Sequence, residues 1–132
     1  MSLKLDQALV KSFIDGAFGL PIAHENTGYA PTAGTAFAEL RVFMNSERAY
    51  TLASKNDITG LFQVALNYPD DGGAIEAKTM AESIIDAYPI GLNLTYSGQS
   101  LEITERQRAS AAPVNGWYRL VLRFNFVAYL PR

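Results

Sequence analysis

The chain has 132 residues, 48% apolar and 18% charged, with 11 basic residues, 13 acidic ones and no cysteine. That length fits one compact domain over residues 1–132, and the apolar content is enough to offset the entropy of ordering it, which excludes a disordered segment. Without cysteine, thiol catalysis, cysteine-based zinc sites and a disulfide-stapled scaffold are excluded as well.

In chain order, residues 3–18 set Leu9, Phe13 and Ala17 beside Val10, Ile14 and Phe18, two neighbouring rows at a spacing of four that predict a helix with one apolar stripe. Gly19 and Pro21 end it: glycine accepts the left-handed cap conformation and proline cannot continue the ladder. Residues 21–25 then suit a short edge strand, and residues 26–35, rich in Gly, Pro, Thr and Ala, a surface loop. In residues 37–44, Ala38, Leu40, Val42 and Met44 alternate with Glu39 and Arg41, the pattern of a half-buried strand. The polar segment 45–57 reads as a long loop, and connections of that length usually have a function.

Alternation resumes in residues 58–68, with Ile58, Phe62, Val64, Leu66 and Tyr68 on one side and Thr59, Gln63 and Asn67 on the other. A turn through Gly72-Gly73 leads into a helix whose apolar face is Ala77, Met80, Ala81, Ile84, Ile85 and Tyr88, with Asp70 and Asp71 able to cap its start and Pro89 following its end. Residues 92–96 and 101–104 flank residues 97–100 as a hairpin, and residues 107–116 read as a loop. Residues 117–130 alternate throughout, with Leu120, Leu122, Phe124 and Phe126 inward and Arg119, Val121, Arg123 and Val127 outward. Two helices and about five or six strands, each with one apolar face, imply an α+β two-layer sandwich. Both helices would pack on one face of a mainly antiparallel sheet.

Chemistry-bearing motifs are few. His24 is the single histidine, which is too little for a metal site, and neither a nucleophile elbow nor a phosphate loop is present. No metal site, cofactor site or catalytic set is expected, and the chain does not read as an enzyme. Stacking aromatics for single-stranded RNA are excluded by parity, because the phenylalanines of residues 117–130 lie opposite Arg119 and Arg123. The start of the chain interleaves Lys4 and Asp6 with apolar residues, unlike a signal peptide, and no window approaches the roughly 18–20 apolar residues of a membrane span, so synthesis in the cytoplasm is expected.

Charge is distributed unevenly: every residue after Glu105 is neutral or basic, so residues 106–132 carry +5 and residues 1–105 carry −7. Opposite signs on two parts of one subunit suit head-to-tail association, while a basic patch facing nucleic acid is the rival reading.

The order of motifs resembles the tail terminator, or tail-completion, proteins of long-tailed phages and prophages. The resemblance rests on Glu25-Asn26 before a Pro/Gly loop, Ala38-Glu39-Leu40-Arg41-Val42, Tyr50-Thr51-Leu52 within a polar loop, and Gly60-Leu61-Phe62-Gln63-Val64 running to Tyr68-Pro69, a glycine turn and a helix. It implies a structural protein of the virion tail, made in the bacterial host, that forms a hexameric ring at the head-proximal end. The ring would bind the last ring of tail-tube protein, stop polymerisation and meet the head–tail connector; another neck component is the alternative. On this reading Arg106, Arg108, Arg119 and Arg123 face a neighbouring subunit or line the lumen, touching passing DNA without reading bases. Arg48, Tyr50, Leu52 and Lys55 are the candidate tube contacts.

Overall fold

The computed structural model describes residues 3–16, 18–23, 35–49, 55–69, 74–96, 99–109, 111–114 and 116–131. Its elements are α1 (Leu3–Asp15), β1 (Ile22–Ala23), β2 (Phe37–Ala49), β3 (Lys55–Pro69), α2 (Ala74–Ala87), β4 (Asn93–Tyr96), β5 (Gln99–Arg108), β6 (Ala112–Val114) and β7 (Trp117–Pro131). The strands form one sheet in the order β1-β2-β3-β7-β5-β4, and β6 pairs with β7. β5 covers β7 from Leu122 to Ala128, and β6 takes over the same edge at residues 117–119.

The α+β class holds, but the expected two-layer sandwich is corrected: the sheet, though mainly antiparallel, is mixed and curled into a half-barrel. The mixing comes from β1, which runs parallel to β2 (Ile22 opposite Ala38), whereas β2, β3, β7, β5 and β4 pair antiparallel. A parallel neighbour needs a crossover of about a dozen residues, which residues 24–36 supply. Within the curl, α1 packs against β2 near one edge and against β4 and β5 at the other.

Both helices occupy the concave face. Leu9 and Phe13 of α1 and Ala77, Ala81 and Ile84 of α2 meet Phe62, Val64, Leu66, Leu120, Leu122, Phe124 and Phe126 in one buried cluster. Tyr88, just past α2, anchors it: its ring lies 4.8 Å from Phe124 and 5.9 Å from Phe62, and its hydroxyl pairs with Ser12 of α1 at 2.7 Å.

Several boundaries differ from the sequence expectation. Helix α1 stops at Asp15, because the ring of Phe18 folds back over Gly16, where a Cβ would stand 2.5 Å from it; Phe18 reaches Phe13 (4.9 Å) from a turn instead of a helical row. Ile14, expected on the stripe, is 52% exposed. Gly19 adopts the anticipated left-handed conformation, φ +79°. The polar stretch expected as a loop is largely strand, since β2 runs on to Ala49 and β3 begins at Lys55. The β4–β5 turn is tighter than expected, with Tyr96 opposite Gln99, and the presumed loop 107–116 contains β6. His24, Glu25, Asp70 and Asp71 lie outside the described residues.

Candidate functional site

The convex face of the sheet, turned away from the helices, collects the outward residues of β2, β3, β7 and β5 into cross-strand rows. One row reads Arg41, Gln63, Arg123, Gln107 from β2 to β5. The next reads Phe43, Leu61, Asn125, Glu105. Neither Arg41 nor Arg123 has an ion-pair or hydrogen-bond partner among the described residues. Two strand spacings, about 10 Å, separate them.

A third group, spanning two neighbouring rows, is internally satisfied. Arg119 donates to Glu39 Oε1 at 2.7 Å and to Asn67 Oδ1 at 3.3 Å, and Asn67 Nδ2 donates to the same Glu39 oxygen at 3.0 Å. This triad ties β2, β3 and β7 together beside Phe37, whose ring meets Trp117 edge-on at 5.1 Å.

The four arginines expected to act together are divided between the two faces. A β-bulge between Ile103 and Glu105 inserts one extra residue in β5, so Arg106 aligns with Phe124 and Arg108 with Leu122, on the concave side. There Arg106 donates to the Ile85 carbonyl in the last turn of α2 at 3.0 Å, a favourable place for a cation. Arg108 lies 3.8 Å from Glu82. Arg119 and Arg123 belong to the convex face. Sequence reasoning missed Arg41 and Gln63 as companions of Arg123; alternation gave their shared parity, but the register that aligns them is a tertiary property.

Arg48 and Lys55, two of the candidate tube contacts, lie near one end of the sheet. Arg48 stands opposite Asp57, which in turn faces Tyr129, and Lys55 faces Pro131, so the three longest strands end together there. Tyr50 and Leu52 fall in the segment joining β2 to β3 and lie outside the described residues.

Two grooves flank the helices. One of about 550 Å³ runs between α1 and β4 past Ser12, Tyr88 and Leu94; another of about 340 Å³ lies beside Lys78, Arg108 and Tyr118. In the first, Lys11 and Asp15 pair with each other at 2.6 Å, and Tyr88 is a poor acid, because burial pushes its hydroxyl up to about 12 although the Ser12 bond pulls the other way. Tyr68 is likewise raised, by burial and then by the charge of Glu76. Neither groove gathers a nucleophile with a base. Among the described residues no cluster of three His, Asp or Glu side chains is placed to hold a metal ion, and no helix is long and apolar enough to cross a membrane.

No curated protein matches the sequence. A solved structure shares the fold with a TM-score of 0.68 at 17% identity, the alignment covering 96% of each chain. The profile of the family described as phage tail terminator protein matches residues 4–126, nearly the whole chain including both helices and the long central strands. The chain therefore belongs to the phage tail terminator family and is a structural component of phage tail assembly.

Proposed function

We propose that the protein assembles as a ring of identical copies, six by family resemblance, at the head-proximal end of the tail. It caps the tail tube, stops its polymerisation and offers the surface that the head–tail connector joins. The family match over residues 4–126 carries this reading. The chemistry is that of fitting surfaces: the arginines with intrachain partners brace the subunit, and the open Arg41–Arg123 row remains for docking. Arg48, Tyr50, Leu52 and Lys55, at and beside the β2–β3 connection, are assigned to the tube. Arg123 is assigned to a subunit contact, and Arg106, Arg108 and Arg119 act there or at the lumen only through surfaces they already brace.

The test is to add the purified protein to polymerising tail-tube subunits and examine the products by negative-stain microscopy. Shorter tubes carrying a six-fold ring at one end are expected. Tubes of unchanged length with bare ends overturn the proposal.

A further inference from the structure

Outside the grooves, the largest unmatched features are two surfaces on opposite sides of the subunit. The first is the convex row of Arg41, Gln63 and Arg123, bordered by Phe43, which is 41% exposed. The second is the outer line of α2. At 100° per residue, Ile75, Thr79, Glu82 and Asp86 lie diametrically opposite the buried Ala77, Ala81 and Ile84. Ile75 is 78% exposed, and Ile90, just beyond the helix, is 63% exposed. The second surface is thus acidic at its centre with an exposed isoleucine at each end. The first carries two open cations with an exposed phenylalanine and Leu61 beside them.

We infer that these two surfaces bind each other between copies, so that the acidic line of α2 on one subunit docks on the arginine row of the next. The inference rests on the ring reading above and supplies its interface. Charge selects the pairing: like faces repel, cation row against cation row and acid against acid, while the unlike faces attract. Geometry selects the symmetry. The arginine row points away from the helices and the acidic line away from the sheet, so one subunit presents both halves of the contact in opposite directions. A two-fold dimer satisfies only self-complementary patches, whereas unlike halves propagate head to tail, and they form a ring where the rotation between copies closes, as the ring reading requires. Arg41, Arg123 and Asp86 have no partners among the described residues, and Glu82 has only the 3.8 Å approach of Arg108, so docking disturbs little within the subunit.

The test uses two charge-reversed chains, R41E/R123E and E82K/D86K, with far-UV circular dichroism to establish that each folds. Assembly is followed by native mass spectrometry, free and on tail-tube ends. Each variant alone is expected to associate more than about 100-fold more weakly than the wild type. Mixed in equal amounts they regain assembly as strictly alternating one-to-one rings, because every contact then joins opposite charges. Variants that assemble alone like the wild type overturn the pairing while leaving the ring reading intact. So do folded variants whose mixture stays dissociated, and so does loss confined to R41E/R123E, which marks a convex-to-convex contact. A wild type that is monomeric at every concentration and absent from tube ends overturns the ring reading and this inference with it.

Discussion

Asn67 is 3% exposed and polar, and it is tolerated because Glu39 and Arg119 meet its amide from the neighbouring strands. Both charged partners are about a third exposed, so solvent screens the pair and the triad contributes modestly. A double-mutant cycle of Glu39→Ala and Arg119→Ala is expected to give a coupling of about 1 kcal/mol in urea denaturation, and a coupling near zero contradicts it. Tyr88 carries a pH signature. Unfolded, it ionises near the ordinary value of 10.0; folded, it stays neutral to about 12. Between those pH values the unfolded state binds fewer protons, so this contribution is fully present below pH 10 and is lost as pH rises to about 12, by roughly 2–3 kcal/mol. Tyr88→Phe should flatten that decline relative to the wild type, and identical slopes would count against it. Gly60 has no room for a methyl, which would press into the Phe126 ring and stand 2.6 Å from the Phe43 carbonyl oxygen. Gly60→Ala is expected to cost about 1–3 kcal/mol in the same assay. In the sequence Gly60 stands only at the head of the Gly60-Leu61-Phe62-Gln63-Val64 motif; the ring over it comes from β7, more than sixty residues away.

The helices and the strand β7 were legible because their apolar side chains repeat at a single period over the whole element. Legibility failed where the period broke. The ends of β2 and β3 hold Asn45, Ser46, Glu47, Asn56 and Asp57, residues that resemble a loop but extend as strand because β7 runs beside β3 to Pro131 and fixes its register. β6 is Ala-Pro-Val, too short and irregular to announce itself, and exists because β7 outlasts β5 on that edge. The β5 bulge had the largest consequence, since one extra residue moved Arg106 and Arg108 from the face of Arg119 and Arg123 to the helix side. Deletions separate the two kinds of position. Removing Thr104 takes out the extra residue and keeps Ile103 and Arg106 on their faces, so a loss below about 1 kcal/mol is expected, mainly its 3.3 Å bond to the Asn125 carbonyl. Removing Glu102 instead turns the buried Leu101 outward and should cost more than about 2 kcal/mol. Equal losses in thermal denaturation contradict this account of the bulge.

At the scale of the whole molecule, the curled sheet and its two helices form a subunit with two unlike outer surfaces, and the chain belongs to a family whose members build phage tails. The sequence suggested an acidic body and a basic C-terminal part, yet the basic residues divide between both faces because the β5 bulge turns Arg106 and Arg108 to the helix side while Arg119 and Arg123 stay on the convex one. The charge complementarity of the proposed contact between copies is therefore read from rows across strands, not from blocks along the chain. The central claim, that the protein ends tail-tube growth, is tested most directly by measuring tail lengths by electron microscopy in lysates of a phage lacking this gene. Tubes extending well past the normal length, with heads unjoined, are the predicted result. Tails of normal length attached to heads contradict it.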